Sequence, residues 1–509
     1  MRLPYINQIS MQRKQIGTFL GLDRRIIIPE NAFADMENIS SDFYPAVGTR
    51  KPRGKEEKIL TKPNGLFWKN GLAYVDGTNF YYKDTKKGNV SDSEKMMVGM
   101  GAYILIFPDK KYFNTSSEEF GTMEKSWAQN GQATFAPTYA ASVYTKISCS
   151  GIGKNFNEKD AVTISGCTNA AFNGTFIIEG KTDDSITVIS TLTEQFTQAS
   201  GLKVVRTIPD MDFVVENENR LWGCSNEKHE VYASKLGDPM NFNVFEGLST
   251  DSYAATIGSD GEFTGAAANQ SYVIFFKENM IHKVYGNKPS NIELTSQDTV
   301  GVKKGCAKSL CSMNGTLYYI SPDGVCAYSG GIPYLVSETL YETDFKNPIG
   351  GKYKGKYYLF SDELLVYSPE WKAWHREEEV KIKFQTSGDG KLYVIDEENK
   401  LFSIEGDKEE KITWYLESGD QEEGSLQKKI LQKLQFLMEL DRGTQVDIFL
   451  KYDSEPLWEK QYTVTAKEKR TYTVPIKPKR CFHYRYRIEG IGSARLLGIG
   501  KYTREGSEI

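Results

Sequence analysis

Four histidines are available for acid–base or metal chemistry in this chain: His229, His282, His375 and His483. They lie in different parts of the sequence, and none has a partner at a metal-ligand spacing such as HExxH. We therefore interpret each of them as a satisfied structural residue or a surface residue. The seven cysteines are an odd number without a CxxC pair, so we expect reduced thiols.

Short motifs that could bind a cofactor or a metal are incomplete. GMGAYI from residue 99 and GIGSAR from residue 490 carry two of the three glycines of a dinucleotide loop, and neither opens a helix. SDGEFTG from residue 259 has the Asp-Gly of a hairpin turn and no EF-hand spacing. SPDGVCAY from residue 321 has only the first half of a sialidase-type box. We expect no catalytic residue, cofactor or metal, and hence a protein that is not an enzyme.

Basic residues form two clusters that could contact phosphate or a neighbouring subunit. The first follows a Gly-Thr pair, and the second lies near the C-terminus, with two arginines on one strand face; the residues are Arg50, Arg53, Lys477, Lys479, Arg480, Arg485 and Arg487. Because charged runs are usually solvated surface, an exposed face without a partner is the alternative.

The charge balance argues against a protein whose whole surface binds nucleic acid. The chain has 63 Lys and Arg against 67 Asp and Glu, a net charge of -4. The N-terminus, MRLPYINQISMQRK, has no apolar core of a signal peptide, and the longest apolar runs are far shorter than the roughly 20 residues of a membrane helix. We expect a soluble chain without an export signal.

The elements that must position these residues are β-hairpins. NGTLYYISPDGVCAYSGG, residues 314–331, places two runs of β-formers around Ser-Pro-Asp-Gly, the residues of a type I turn. Similar pairs of strands start near residues 70, 99, 217, 269, 353 and 388. A single hairpin is marginally stable in water, so each needs neighbours of its own kind.

From residue 217 onward the hairpins recur about every 35–50 residues, the spacing of propeller blades. The fold class expected is all-β: a β-propeller of six or seven blades, with an inserted small β-barrel or sandwich and a C-terminal β-sandwich. The boundaries are 1–139 for the N-terminal segment and first blades, 140–206 for the insertion, 207–406 for the remaining blades and 407–509 for the sandwich. Leu426–Leu440 contains helix formers but alternates with period two, and we favour a strand.

Four segments resemble a family of tailed-bacteriophage virion proteins, the packaged-DNA stabilisation, tail hub or tail nozzle proteins. The most specific is NRLW…VYASKLGDPMNF, within residues 218–247, and the others are residues 31–54, 275–286 and 320–331. The resemblance covers scattered parts of residues 17–405. The insertion at 140–206 and the rather short chain depart from the family.

The resemblance implies a structural virion protein, a hexameric ring in the tail that forms part of the conduit for DNA retention and ejection. Its partners would be copies of itself, the portal or neck adaptor and other tail proteins, and double-stranded DNA would pass without sequence specificity. The protein would lie in the virion tail, and in the host cytoplasm during assembly.

A strongly basic bore would retain duplex DNA, so we expect a neutral to acidic lumen, with basic residues at subunit contacts. Two alternatives stay open. One is a propeller that binds glycan or peptide. The other is a glycosidase, which requires two carboxylates about 5–9 Å apart.

Overall fold

A computed structural model describes residues 11–139, 143–244, 248–286, 288–341, 343–465 and 469–505. The chain divides into two compact units, one of residues 1–60 and 308–509 and the other of residues 61–307. Within the described residues the secondary structure is almost entirely β, as expected. The helical elements there are four 3-10 turns: Ala170–Phe172, Pro289–Asn291, Ala307–Ser309 and Glu338–Leu340.

The strands are numbered along the chain. The N-terminal segment contains β1 (Gln12–Ile16), β2 (Phe33–Glu37), β3 (Ile39–Ser40), β4 (Val47–Thr49) and β5 (Lys58–Ile59). Two sheets follow, with β6 (Pro63–Trp68), β7 (Leu72–Asp76), β8 (Asn79–Tyr82), β9 (Thr85–Asn89), β10 (Met96–Met100), β11 (Tyr103–Phe107), β12 (Lys111–Asn114) and β13 (Phe120–Thr122). The next eight strands, named the insert, are β14 (Lys125–Ala128), β15 (Ala133–Pro137), β16 (Tyr144–Ser148), β17 (Ala161–Ser165), β18 (Gly174–Thr182), β19 (Ser185–Ile189), β20 (Phe196–Gln198) and β21 (Lys203–Arg206).

The second half of the chain continues the same pattern. Two sheets comprise β22 (Phe213–Asn217), β23 (Arg220–Ser225), β24 (Glu230–Ala233), β25 (Tyr253–Thr256), β26 (Gly265–Asn269), β27 (Tyr272–Lys277), β28 (Met280–Tyr285) and β29 (Glu293–Asp298). Three more comprise β30 (Cys311–Met313), β31 (Thr316–Ser321), β32 (Gly324–Tyr328), β33 (Tyr334–Leu335), β34 (Ile349–Tyr353), β35 (Lys356–Phe360), β36 (Leu364–Ser368), β37 (Ala373–Glu377), β38 (Ile382–Gly388), β39 (Lys391–Asp396) and β40 (Lys400–Ser403). The last strands are β41 (Thr413–Ser418), β42 (Lys429–Leu440), β43 (Gln445–Tyr452), β44 (Glu459–Thr465), β45 (Arg470–Val474), β46 (Arg480–Cys481), β47 (Tyr484–Ile491) and β48 (Ala494–Glu505).

Seven antiparallel sheets of four strands each are present in the described part of the chain. Each of the seven expected hairpins forms the two central strands of one such sheet, as β31 and β32 do with Ser321 opposite Gly324. The turn that leads into this hairpin has positive φ at Asn314 and Gly315, the geometry that Asn-Gly favours between strands. One hairpin therefore corresponds to one four-stranded sheet, the unit from which propeller blades are built.

Central strands of these sheets are buried on both faces, because sheets pack against one another. All six residues of β27 and all five of β35 are buried. Within residues 61–307, neighbouring sheets share cores such as Val75 and Phe80 with Ile104. A strand that is buried on both faces has apolar side chains on both, so its sequence is a continuous apolar run. This accounts for YVIFF in β27 and YYLF in β35.

The seventh sheet is completed by the N-terminal segment. Its strand order is β38, β39, β40 and β5, and Lys400 lies opposite Ile59. The fourth strand of this sheet thus comes from residues 58–59, more than 300 positions before its partner.

Strands from both ends of the chain form two sheets that we name the terminal sandwich. The larger has the order β3, β4, β48, β42 and β45, with β1 beside β48 and β46 beside β42; the smaller is β2, β41, β47, β43 and β44. The sheets meet face to face, with the rings of Phe436 and Tyr486 5.7 Å apart. The segment from Lys429 to Leu440 is the strand favoured from its alternation. Strands β2–β4, which fall in the range 1–139 expected to hold the N-terminal segment and first blades, lie in the sandwich, where their buried residues cover its core.

The insert forms one eight-stranded sheet in the order β14, β21, β17, β18, β19, β16, β15 and β20. Its own core includes Phe135, Ile164 and Val204. The sheet begins at Lys125 rather than at residue 140, since β14 pairs along β21 with Lys125 opposite Arg206.

Candidate functional site

The first basic cluster lies in an ion-pair network around two buried arginines, which we name the arginine cluster: Arg50, Arg53, Glu377, Glu378 and Glu410. Arg53 donates from Nη1 to Glu377 Oε2 at 2.6 Å and to the carbonyl oxygen of Ile404 at 3.1 Å. Arg50 donates to Glu410 at 2.8 Å and to Glu378 at 3.1 Å. The cluster therefore joins the N-terminal segment to the end of β37 and to the residues after β40.

Electrostatics in the arginine cluster depend on burial. The Arg53 and Glu377 side chains are 8% and 5% exposed. Burial alone would raise the pKa of Glu377, but Arg53 and then His375 outweigh it and lower this pKa to about 2. Burial lowers the pKa of His375, whose Nε2 is 3.8 Å from Glu377 Oε1. The carboxylate of Glu377 is thus held ionised by the arginine beside it.

The seven basic residues expected to contact phosphate or a subunit lie in different environments in the structure. Arg50 and Arg53 are buried and paired internally. Arg485 and Arg487 lie on one face of β47, as the alternation indicates, where Arg485 pairs with Asp420 at 2.7 Å and Arg487 with Glu489 at 3.0 Å. Lys477 and Arg480 are exposed, while Lys479, partly buried, pairs with Glu459. Contact with phosphate or a subunit thus stays a prediction for the five later residues, and Arg50 and Arg53 stabilise the folded chain.

A second candidate, which we name the serine–histidine cleft, lies at the sheet of β26–β29. It has a volume of about 640 Å³, and its lining includes Ser259, Asp260, Glu262, Lys277 and Asp298. Ser259 Oγ is 2.9 Å from His282 Nε2, and the Nδ1 of the same ring is 2.8 Å from Ser296 Oγ. A hydroxyl beside an imidazole is the arrangement of a serine nucleophile and its base.

The electrostatics of this cleft oppose nucleophilic catalysis. Burial, followed by the charge of Lys277, lowers the pKa of His282 to about 4. The imidazole is therefore neutral at pH 7 and is a weak base. Ser296 supplies a hydroxyl where a hydrolase has a carboxylate, so nothing in this relay stabilises an imidazolium. Lys277 is itself buried and donates to the carbonyl oxygens of Ser259 at 2.5 Å and Asp260 at 3.3 Å.

The cleft's polar side chains thus fasten the loop of residues 258–262 to the sheet. His282 is a satisfied structural histidine, as the sequence indicates. His375 differs from that expectation, because it is buried and neither ring nitrogen has a hydrogen-bond partner. The seven cysteines are reduced thiols, as expected, and all of them are buried.

Two other kinds of site, a metal centre and a membrane-spanning helix, are absent from the described part of the chain. No group of three or more His, Cys, Asp or Glu side chains there is arranged to hold a metal ion. No helix among these residues has the length and apolar character needed to cross a membrane.

Together these features define an all-β protein built from repeated four-stranded antiparallel sheets. No protein-family model matches the chain, and no curated protein matches it. Among solved structures it is similar to BamB from Moraxella catarrhalis, at 10% identity and a TM-score of 0.32, over 72% of this chain and 99% of the other. It is also similar to the phage phi92 endosialidase, at 10% identity and a TM-score of 0.27, over 75% and 70% of the two chains. At these values no activity or partner follows from either likeness.

Proposed function

We propose that the chain is a structural subunit of a bacteriophage tail, a β-propeller that assembles with copies of itself into a ring around the path of double-stranded DNA. The observation that carries the proposal is the completion of the seventh sheet by β5. A chain whose early strand completes its last repeat has the connectivity of a closed propeller, which leaves no large exposed sheet edge.

The resembling segments support the proposal because their residues connect parts of the fold. Residues 31–54 contribute β2–β4 to the terminal sandwich and the two arginines to the arginine cluster. In residues 218–247, the buried guanidinium of Arg220 donates to the carbonyl oxygens of Ser234 at 2.7 Å, Asp251 at 2.6 Å and Ser249 at 3.0 Å. Arg53 thus joins distant parts of the chain, and Arg220 holds Ser234, Ser249 and Asp251 to β23, as expected of a protein whose role is architecture.

A role without turnover is supported by the chemistry of the serine–histidine cleft. Its histidine is a weak base, and its lysine ammonium is occupied by two backbone carbonyls. The mild net charge of -4 also suits a conduit through which DNA must slide.

A second function, recognition of a glycan, is favoured by the size and polarity of the same cleft. A volume of about 640 Å³ lined by Asp260, Asn279 and Asp298 offers acceptors and donors for sugar hydroxyls. In that case the chain would be a binding module, which is the alternative left open by its sequence.

Two measurements distinguish these functions: the mass of the purified particle and its binding to glycans. Light scattering coupled to size exclusion and negative-stain images should show a ring of copies of the 57.5 kDa chain, with six as the number implied by the family. A monomer at every concentration up to the solubility limit would overturn the ring. A monomer that binds a glycan on an array, and loses it on Asp298→Ala substitution, would establish the binding module instead.

A further inference from the structure

Lys501 lies where a β-sandwich usually carries an apolar side chain. In β48 the buried residues two positions to either side of it are Ile499 and Thr503, so all three point to the inner face of the larger sheet. The Lys501 side chain is fully buried there. Lysine is almost never fully buried unless other groups pair with it. The residues around Lys501 therefore determine why this position holds an amine.

The ammonium of Lys501 contacts three side chains. Its Nζ lies 2.7 Å from Glu30 Oε2 and 3.1 Å from Glu423 Oε1, and it donates to the amide oxygen Oε1 of Gln421. Gln421 is fully buried, and the Glu423 side chain is 5% exposed. We name these four residues the amide site: Glu30, Gln421, Glu423 and Lys501. An amine, a carboxamide and two carboxylates thus meet inside the terminal sandwich.

The carboxamide of Gln421 is held in one orientation. Its Nε2 donates to the carbonyl oxygens of Gly419 at 3.1 Å and Glu30 at 3.5 Å, which leaves Oε1 facing Lys501. The amide carbon Cδ lies one C=O bond, about 1.23 Å, from that oxygen. The Lys501 nitrogen is therefore close to the carbon that an amine attacks, and holding the two groups together lowers the barrier to their reaction.

Two tyrosines of β47 border the amide site. Tyr484 donates from its hydroxyl to Glu423 Oε1 at 2.7 Å. The hydroxyl of Tyr486 is buried and has no hydrogen-bond partner among the residues that the structure describes. Burial, followed by the charges of Glu30 and Glu423, raises the pKa of Tyr486, so its hydroxyl stays protonated. Tyr486 thus keeps a donor free for a negative charge that develops beside these carboxylates.

We propose that the folded chain joins Lys501 to Gln421 by an isopeptide bond. The new bond links Nζ of Lys501 to Cδ of Gln421, and the bond from Cδ to Nε2 breaks. One lysine ammonium and one carboxamide become one substituted amide and one ammonium ion. Atoms and charge balance, nothing is oxidised or reduced, and no cofactor takes part.

Glu423 is the catalytic residue of this reaction, because its carboxylate touches the reacting amine. It accepts a proton from the ammonium, and the neutral amine then attacks Cδ. Glu423 passes this proton to Nε2, which leaves as ammonia. The next proton lost by the attacking nitrogen travels through Glu423 to the departing ammonia, which becomes ammonium. Glu30, which Lys14 also contacts at 2.7 Å, positions the amine.

Two properties of the bond follow from its surroundings. Because both carboxylates favour the charged ammonium, the neutral amine is rare and the bond forms slowly after folding. Each molecule reacts only once, so a slow reaction suffices. Residues 421 and 501 are 80 positions apart, and a cross-link that closes a long loop restricts the unfolded chain strongly. The bond lies within one chain and goes beyond the proposed ring, on which it does not depend.

Mass spectrometry of the denatured full-length chain tests the bond. The unaltered protein, incubated in neutral buffer until its mass is constant, should be lighter than its sequence by one ammonia molecule. Trypsin does not cleave after a lysine whose side chain is an amide. It should therefore release one branched peptide in which residues 412–428 are joined to residues 496–504.

Three variants should keep the full sequence mass. Gln421→Met removes the carboxamide, and Glu423→Gln removes the proton acceptor. Lys501→Arg leaves a cation for the two carboxylates, but a guanidinium does not lose its proton and cannot attack. The matched control is Lys383→Arg, since Lys383 donates to Asn399 Oδ1 at 2.6 Å and both residues are only half-buried. This control should lose ammonia as completely as the unaltered chain.

Circular dichroism and melting check that each variant folds, and Gln421→Met decides the result if Lys501→Arg does not. A full sequence mass in the unaltered chain overturns the isopeptide bond and leaves the amide site a noncovalent network. Loss of ammonia that persists in Gln421→Met also overturns it, because the ammonia then comes from another amide. If Glu423→Gln forms the branched peptide as fast as the unaltered chain, the role given to Glu423 is wrong. Each of these results can be read whether or not the chain forms a ring.

Discussion

Replacing Arg53 by methionine is expected to leave Glu377 buried without its main partner. The two groups are 2.6 Å apart, and both side chains are less than one-tenth exposed. At an effective dielectric constant of about 20, charges at that distance interact by roughly 6 kcal/mol, part of which is offset by removing both from water. Breaking such a pair from one side costs about 3–5 kcal/mol, and we expect that loss at pH 7.

The loss should depend on pH with a definite sign. The folded pKa of Glu377, about 2, lies below its ordinary value of 4.5. Its contribution to stability is therefore present above pH 4.5 and is lost as the pH falls toward 2, on the order of 3 kcal/mol in all. The difference between the unaltered chain and Arg53→Met should be largest at pH 7 and should shrink as the pH falls toward 2. Without Arg53 the buried Glu377 takes up its proton at a higher pH, and a neutral carboxyl group needs no cation.

Hydrogen exchange measured by mass spectrometry on β37 is the suitable assay, because a chain of several modules does not unfold in one step. Adding Glu377→Gln to Arg53→Met should recover much of the lost protection. The control is Lys55→Met, since the pair of Lys55 with Asp407 at 3.5 Å has side chains 66% and 81% exposed, and should change stability by less than about 0.5 kcal/mol. Unchanged protection of β37 in Arg53→Met at pH 7, or an equal loss at pH 4 and pH 7, would refute the reasoning.

Four further tests address other parts of the structure. Arg220→Lys keeps the charge but loses the planar guanidinium that donates to three carbonyl oxygens, so the free energy of unfolding should fall by about 2–3 kcal/mol. Proteolysis near Ser234 should become faster, and an unchanged cleavage rate would contradict this prediction. The folded pKa of His282, about 4, lies below its ordinary value of 6.5, so its contribution to stability is present above pH 6.5 and is lost between pH 6.5 and 4. Hydrogen exchange should show that the sheet of β26–β29 loses about 3 kcal/mol of stability over that range. His282→Gln should remove most of this pH dependence. A fluorophosphonate probe should not label Ser259, and stoichiometric labelling abolished by Ser259→Ala would show that the cleft is catalytic. Deleting residues 11–49 removes β1–β4 and uncovers the sandwich core, so the product should aggregate; a soluble monomer by size exclusion would count against that packing.

The repeated sheets could be recognised from the sequence because their central hairpins are local. The pairing of Thr316–Ser321 with Gly324–Tyr328 needs only a turn and two runs of β-formers within 18 residues. Two of the outer strands are too short to carry a pattern; β33 has two residues, and β5 has two. The contribution of residues 58–59 to the seventh sheet, and of β2–β4 to the sandwich, is set by partners hundreds of positions away, which no local period reveals.

The candidate sites were harder to anticipate for the same reason. A basic run such as RKPR is typical of an exposed surface, yet Arg50 and Arg53 are buried because carboxylates at 377, 378 and 410 surround them. His282 has its two partners 14 and 23 positions away, at ordinary serines. The alternation of the sequence was enough to place Arg485 and Arg487 on one face of β47, because residues two apart in a strand always point to the same side of the sheet.

The pairing of β5 with β40 has a consequence for biosynthesis. A ribosome adding about 5–20 residues per second reaches Lys400 some 20–70 s after Ile59, and the sandwich strands emerge later still. During that interval β1, β2 and β5 lack the strands with which they pair in the folded chain, so a prematurely terminated product keeps unpaired strands that chaperones and proteases can bind. These strands are paired only after translation has passed β48, so incomplete copies do not fold. The fold thereby excludes them from any assembly that one defective subunit would disrupt.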